Sequence, residues 1–302
     1  MKSDKPQYTA QSNSNLNRGM VLGALGVLIF SITLPATRVA VQDLHPIFVS
    51  MGRAIVAAIL AAAVMLYLRT PLPTRAQILP LLLVALGVVL GFPALTSWAM
   101  RHTDASHGGV VLGVLPLATA VAGAIFSKER PKFAFWCVAV LGSALVVGFA
   151  LFTGGGALNW ADLALFAAVL SAATGYALGA KLSQSMGGLA VISWALVLAC
   201  PFVILPAYVY APQDLQAISA VKPIAWLAFA YVSIFSQYLG FLPWYQGLAL
   251  GGTARVGQVQ LLQPFCTLFF SAVLLGENLS AATLVFAVLV FVVVGVGRKL
   301  AQ

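Results

Sequence analysis

Charged side chains are scarce in this chain: only 8% of its 302 residues are Asp, Glu, Lys or Arg, and only seven of these are acidic. Soluble domains carry about 25% charged residues, whereas 61% of this chain is hydrophobic and its mean hydropathy is +1.00. A single water-soluble core of this length could not bury so much apolar surface. The apolar runs also lack the alternation of outer-membrane barrel strands. The composition therefore predicts an all-α polytopic membrane protein.

Several chemical signatures are missing as well. The sequence has no GxxxxGK[ST] loop for ATP and no HExxH motif for zinc, so we expect no cofactor, no metal and no enzymatic activity. The basic excess of +9 is spread over short connectors and forms no stripe, which argues against a nucleic-acid partner. The three cysteines lie in apolar runs and are interpreted as buried free thiols: Cys137, Cys200 and Cys266.

Ten apolar runs are each long enough to cross a membrane, which takes about 20 residues. Short connectors marked by proline, glycine or charge separate them. The polar segment 1–18 is rich in Ser and Asn, which predicts a disordered cytoplasmic tail. The predicted spans are 19–41, 46–68, 78–100, 105–127, 133–152, 159–181, 188–210, 223–247, 254–275 and 280–298.

The basic residues predict the orientation of these spans, because cytoplasmic connectors carry the excess of Lys and Arg. With the N-terminus inside, 12 of the 16 basic residues fall on the cytoplasmic side. The other four are Arg38, Arg53, Arg101 and Lys222. We therefore expect both termini in the cytoplasm and a location in the inner (plasma) membrane.

Two segments look like copies of one another, one around Pro116 and one around Pro264. Each carries its proline in the middle of an apolar run and a glutamate 13 positions later, Glu129 and Glu277. The copies are 148 positions apart, close to half of the chain. Such a duplication in an apolar chain indicates a transporter that is built from two halves.

Each half holds five predicted spans, an odd number, so the second half must insert upside down. The expected architecture is therefore ten transmembrane helices in two inverted five-helix repeats, 19–152 and 159–298, around a central cavity.

These features resemble the EamA branch of the drug/metabolite transporter superfamily. The resemblance lies in the two five-span halves, the Pro…ER and Pro…GE signatures ending the fourth span of each half, and the passage FSITLPATRVAVQDLHPIFVSMGRAIVAAI. It covers about residues 19–298, and within the family the chain resembles amino-acid exporters of the YddG type. The resemblance implies a basket-like bundle, bends at Pro116 and Pro264, and export of amino acids, other metabolites or drugs.

Polar residues inside apolar spans face other helices or a cavity. Gln260, Gln263 and Thr267 share one face of the ninth span, and we predict that this face lines the cavity. Interhelical hydrogen bonding would give the same pattern. Further predicted substrate-binding residues lie on other spans: Ser31, Trp98, Tyr176, Trp194, Gln237, Tyr238 and Trp244.

Arg53 is the most informative charge, since it lies about two turns inside the second span, where an unpaired guanidinium is costly. It either anchors a substrate carboxylate, or snorkels outward, or bonds to backbone carbonyls or Asp43. Pro116 and Pro264 each remove a backbone hydrogen bond in mid-helix, and their symmetry predicts a pair of hinges. No acidic residue is expected at mid-membrane depth, which favours facilitated diffusion or exchange over ion-driven pumping.

The sequence thus predicts a secondary transporter that exports small metabolites, with amino acids as the first choice, by alternating access. An exporter of drugs or cationic compounds is the alternative, and the lack of a buried acid weakens it. A channel would need pore loops or charged rings, and an intramembrane hydrolase would need a deep Ser–His pair; neither pattern is visible. The expected partners are the substrate and the lipid bilayer, and no oligomeric state is predicted.

Overall fold

The computed structural model describes residues 5–127, 133–153 and 158–301, and these residues form helices and connectors without a strand. A short helix, Leu215–Ala220, lies in the connector between Val209 and Pro223. The long helices are α1 (Lys5–Ser31, continued by Thr33–Asp43), α2 (Pro46–Leu68), α3 (Arg75–His102), α4 (Ala105–Phe126), α5 (Phe133–Thr153), α6 (Trp160–Met186), α7 (Gly188–Val209), α8 (Pro223–Gly251), α9 (Thr253–Val256, Gly257–Leu262 and Gln263–Leu275) and α10 (Ala281–Ala301).

Seven helices in the described residues are long and apolar enough to cross a membrane: α1 to α4 and α6 to α8. The apolar helices within α5, α9 and α10 are shorter: Val140–Thr153, Val259–Leu275 and Ala281–Val293. Helix α1 begins at Lys5, inside the segment 1–18 that the sequence predicted to be a disordered tail. Glu129 and the basic residues beside it lie outside the described residues.

The distribution of polar side chains is inverted relative to a soluble protein. Leu66 is 79% exposed and Phe202 is 65% exposed, whereas Ser97 and Gln237 are fully buried. Hydrocarbon offers no hydrogen bonds, so polar groups in a membrane gather between helices and apolar groups face the lipid. The chain is therefore a multi-pass membrane protein.

Small residues let helices approach closely in two places. Helix α1 packs against α8, and α3 packs against α6. A Cβ atom added at Gly247 would lie 2.8 Å from the carbonyl oxygen of Gly19, and one added at Gly87 would lie 2.7 Å from that of Ser171. Backbones at this separation are typical of membrane helices, where close packing replaces the hydrophobic effect. Two more pairs pack closely, α2 with α7 and α5 with α10, and α4 packs against α6 and α9.

Helices α3 and α8 each contain a widened, π-helical segment, Ala85–Gly91 and Val232–Leu239 respectively. A proline follows each segment, Pro93 in α3 and Pro243 in α8. Neither proline has the N–H that the carbonyl four residues earlier would accept, and in both helices that carbonyl lies in the π-helical segment. The same chemistry thus interrupts both helices at equivalent positions.

Helices α4 and α9 are tightened instead into 3₁₀ turns, Leu112–Val114 and Gly257–Leu262. Pro116 and Pro264 each lie in the first turn of the α-helix that follows. The carbonyl four residues before each proline cannot receive its usual bond. In both helices this carbonyl accepts instead from the N–H three residues on. The sequence predicted a lost hydrogen bond at each proline, and the structure shows how the freed carbonyl is satisfied.

Candidate functional site

A closed cavity lies where α1, α2, α3, α4, α6, α8 and α9 meet. Its free space is about 10 Å³, which holds about one water molecule. Both halves of the chain contribute to its walls, which include three phenylalanines. Its polar lining residues are Thr33, Arg53, Tyr176, Ser236, Gln237 and Gln263. In this conformation the cavity is closed to any metabolite.

Three of the π-helical and 3₁₀ segments described above line this cavity, and the fourth ends beside it. Val88 comes from the π-helical segment of α3, and Ser236 and Gln237 come from that of α8. Leu112 begins the 3₁₀ turn of α4, and Gln263 directly follows the one in α9. Irregular backbone at membrane depth is tolerated where it is buried in protein or lines a cavity, and interrupted helices are typical of transporter binding sites.

Arg53 is the only charged side chain that lines the cavity among the described residues. It is 1% exposed, so it does not snorkel outward. Its Nη2 donates to Ser236 Oγ at 2.8 Å, and that hydroxyl also pairs with Thr33 Oγ1 at 2.8 Å. Nε and Nη1 have no hydrogen-bond partner in the described part of the chain. The guanidinium therefore presents unused donors at the centre of the protein.

Gln237 lines the same cavity and offers a hydrogen-bond acceptor, which complements the donors of Arg53. Its Nε2 donates to the Val88 carbonyl at 3.2 Å, which ties α8 to α3 between their π-helical segments. Its Oε1 has no partner among the described residues. The ring of Tyr176 lies 6.5 Å from that of Phe30 and 6.1 Å from that of Phe241, measured between centroids. The cavity thus combines cationic donors, an amide acceptor and aromatic walls.

Four of the predicted substrate-binding residues line this cavity: Arg53, Tyr176, Gln237 and Gln263. Four others are buried without lining it: Ser31, Gln260, Thr267 and Trp244. Thr267 Oγ1 donates to the Ser31 carbonyl at 3.0 Å, which is the interhelical packing role that the sequence left open. The Trp244 ring packs against Tyr176 with 5.4 Å between centroids.

Three predicted residues lie away from the cavity. The Tyr238 hydroxyl pairs with Ser193 Oγ at 3.0 Å, between α8 and α7. Trp98 is 40% exposed and its ring lies 4.4 Å from that of His102. Trp194 donates from Nε1 to the Pro71 carbonyl at 3.1 Å, in the connector after α2.

Ser236 is the polar lining residue that the sequence pattern missed most clearly. In a regular α-helix, Ser236 would lie about 100° around the axis from Gln237, so a periodicity argument selects only one of them. Both residues lie in the π-helical segment of α8, and both line the cavity. Pro243 is the one sequence signal of this irregularity, because its missing N–H marks where the helix is interrupted.

The five acidic side chains in the described residues lie at one end of the bundle, far along their helices from the cavity. Asp4 and Glu129 lie outside the described residues. Each of the other five has a partner: Asp43 the N–H of Lys222, Asp104 the guanidinium of Arg38, Asp162 the ring of His107, Asp214 the N–H of Ala217, and Glu277 the N–H groups of Ala105 and Ser106. None of these five carboxylates neutralises Arg53.

Two histidines at this end make specific contacts. His107 Nε2 lies 2.6 Å from an oxygen of Asp162, which is fully buried. His45 caps α2 by accepting the N–H of Ile47 at 3.2 Å. Partial burial and the positive charge of Arg101 lower the pKa of His45, so the neutral, accepting form is favoured near pH 7.

A second cleft lies between α4 and α6 and is larger, at about 440 Å³. Thr174 is its only polar lining residue among those described, and Ile125 and Leu170 at its rim are largely exposed. An apolar cleft of this kind faces lipid and offers no group that could select a polar metabolite. The central cavity, whose polar lining groups come from both halves of the chain, is the candidate site.

A helical membrane bundle with a closed polar cavity between its two halves is the arrangement of a secondary transporter. The chain belongs to the EamA-like transporter family, whose sequence profile matches residues 17–152 and again residues 159–296. The family assignment confirms the resemblance to the EamA branch of the drug/metabolite transporter superfamily. It establishes a transporter of the drug/metabolite class.

Two relatives from Bacillus subtilis (strain 168) are similar over much of the chain. The uncharacterized transporter YdeK is 44% identical, covering 94% of this chain and 98% of its own length. The uncharacterized transporter YyaM is 26% identical over 68% of this chain and 69% of its own. A solved crystal structure shares the fold, with a TM-score of 0.67 and 17% identity, covering 94% of this chain and 96% of that one.

Proposed function

We propose that this protein exports a small metabolite by alternating access, and that amino acids are the first class to test. The closed cavity carries this proposal, because both halves line it and the four interrupted helices α3, α4, α8 and α9 each contribute a lining residue. Alternating access requires a site that the two halves can expose in turn to either side. Since the sequence has no GxxxxGK[ST] loop for ATP, we expect transport to be driven by concentration gradients, by exchange or by ions.

We further propose that all ten long helices cross the inner membrane as two inverted repeats, 19–152 and 159–298, with both termini in the cytoplasm. The packing supports this: a shift of five helices converts the α1–α8 pair into α6–α3 and preserves the α2–α7 and α5–α10 pairs. The π-helical segments of α3 and α8 and the 3₁₀ turns of α4 and α9 follow the same shift. The double match to one family profile agrees with it.

Export of drugs or cationic compounds is the alternative within the same family. A cationic substrate is normally met by a buried carboxylate or by aromatic faces. Among the described residues the cavity contains Arg53 and no acid, so a cation would face a like charge. This observation disfavours export of cationic compounds. Quaternary amines are therefore included in the counterflow assay as one substrate class.

Counterflow in proteoliposomes tests the proposed function. Vesicles are loaded with unlabelled amino acids, nucleosides, organic acids or quaternary amines, and uptake of the labelled compound is followed. A carrier gives saturable uptake that is faster into preloaded vesicles than into empty ones. Uptake that never saturates and ignores preloading would indicate a channel and contradict the proposal, as would the absence of transport for every class.

The Pro264→Ala variant is expected to fold normally and to transport about tenfold more slowly, which corresponds to about 1.4 kcal/mol of added barrier. Alanine restores the N–H that proline lacks, so the 3₁₀ turn of α9 can become regular helix and bend less readily. The measurement is the initial counterflow rate of purified protein. Pro201→Ala is the matched control, since Pro201 lies inside α7 on an exposed face and outside the cavity. Equal counterflow rates for Pro264→Ala and wild type would contradict the hinge role of Pro264.

A further inference from the structure

We propose that Arg53 binds a carboxylate of the transported metabolite and that the substrate carries a net charge of −1. This inference rests on the proposed export function and specifies the charge class of its substrate. The class is small organic monocarboxylates, and 2-hydroxy acids match the cavity best.

The first step of the argument is the state of the guanidinium. Arg53 is 1% exposed, and Ser236 is its one hydrogen-bond partner in the described residues. Nε and Nη1 remain without acceptors. Burying a charge without a counter-charge is among the most costly arrangements in a membrane protein. Such a group at a cavity wall offers its free N–H donors to an anion that enters the cavity.

The second step is charge balance. The five described acids are each paired at the end of the bundle, so none is the counter-ion of Arg53. A monoanion makes the occupied cavity neutral. A zwitterionic amino acid leaves a buried charge of +1, and an amine raises it further. Electrostatics in a low-dielectric site therefore rank the three classes as monoanion, zwitterion and cation.

The third step concerns the rest of the ligand. Arginine suits carboxylates because its planar N–H groups match their two oxygens. Gln237 Oε1 is an unused acceptor on the same cavity, and a hydroxyl beside the carboxylate would donate to it. The rings of Phe30 and Phe241 line the remaining wall and suit an apolar side chain. An inorganic anion such as chloride would use the guanidinium and leave the amide and the apolar wall unmatched.

The experiment compares three pools that share the side chains of alanine, valine, leucine and phenylalanine: the 2-hydroxy acids, the amino acids and the primary amines. Counterflow is measured in wild-type proteoliposomes, with chloride as a fourth substrate. The hydroxy-acid pool is expected to exchange at least tenfold faster than the amine pool and faster than the amino acids. Arg53→Gln should lose at least nine-tenths of this rate, and Arg53→Lys should be intermediate because it keeps the charge and loses the planar geometry.

Thermal unfolding in detergent separates a binding role from a structural one. Because Arg53 is an uncompensated charge without substrate, Arg53→Gln is expected to unfold at the wild-type temperature or higher. Arg38→Gln is the control, since Arg38 bonds the Met100 carbonyl at 2.6 Å and Asp104 at 3.4 Å. It should unfold at a lower temperature and keep the charge preference.

Four results would overturn the proposal: faster transport of amino acids, amines or chloride by the wild type; wild-type rates in Arg53→Gln; a drop in its unfolding temperature like that of Arg38→Gln; or a preferred substrate without a carboxylate. If the wild type moves no compound in these pools or in the wider counterflow screen, the export function itself is contradicted. Failure of the function and failure of the charge assignment are therefore distinguishable.

Discussion

Replacing Gly247 with alanine is expected to lower the free energy of unfolding by about 2 kcal/mol, within the range for overpacking a tight core. The new Cβ would lie 2.8 Å from the Gly19 carbonyl oxygen and 2.9 Å from the Gly23 amide nitrogen. Both atoms are backbone, so no side chain can move away, and α1 and α8 must separate. The measurement is reversible unfolding in mixed detergent micelles.

Gly148→Ala is the matched control for this substitution. A Cβ at Gly148 meets nothing within 4 Å, and alanine is a better helix former than glycine by up to about 1 kcal/mol. The control should therefore be neutral or stabilising. Gly87→Ala should reproduce the Gly247→Ala loss, because its Cβ would lie 2.7 Å from the Ser171 carbonyl oxygen in the α3–α6 contact. Equal stability of Gly247→Ala and Gly148→Ala would show that the two helices do not pack this closely.

Removing the carboxylate of Glu277 is expected to cost about 2 kcal/mol, typical of hydrogen bonds to a charged group. Glu277 follows the last turn of α9, and its two carboxylate oxygens accept the N–H groups of Ala105 and Ser106, each at 2.9 Å. These N–H groups open α4 and have no partner within their own helix. The negative charge also lies next to the positive, N-terminal end of the α4 dipole, which is a favourable interaction. The glutamate of the second copied segment thus fastens the end of α9 to the start of α4.

The Glu277→Ala and Glu277→Gln variants separate the charge from the hydrogen bonds. Glutamine keeps one acceptor oxygen and loses the charge, so its loss should lie between wild type and alanine in the same unfolding assay. Asp214→Ala is the control, because Asp214 caps only the short connecting helix Leu215–Ala220, where a lost cap costs about 1 kcal/mol or less. A Glu277→Ala variant no less stable than Asp214→Ala would contradict the fastening role.

Several features of the candidate site were readable from the sequence because their causes are local. The missing N–H of Pro116 and Pro264 interrupts α4 and α9 whatever surrounds them. Leu112 in the first interruption and Gln263, directly after the second, line the cavity. Arg53 was identified by its depth in an apolar run, and Gln237 and Gln263 by their polarity within theirs. In each case the signal lies in the residue and its immediate neighbours.

Other features could not be read locally. Trp98 and Tyr238 are residue types that often occur in binding sites, yet Trp98 faces outward and the Tyr238 hydroxyl bonds to Ser193 of α7. Which face of a helix meets the cavity depends on its rotation against neighbours that are distant in sequence. Ser236 lies in a π-helical segment that lines the cavity, and regular helical spacing does not predict such a segment.

By itself, the sequence determined that this protein is a helical membrane bundle with interrupted helices and a transporter's duplication. Hydropathy and proline chemistry act within a few residues of the chain, so they are visible without a fold. Only the tertiary structure decided which polar groups are satisfied and which are not. Thr267 has a partner across the helix interface, whereas Arg53 has donors to spare, because hydrogen bonding between helices depends on residues that are far apart in the chain.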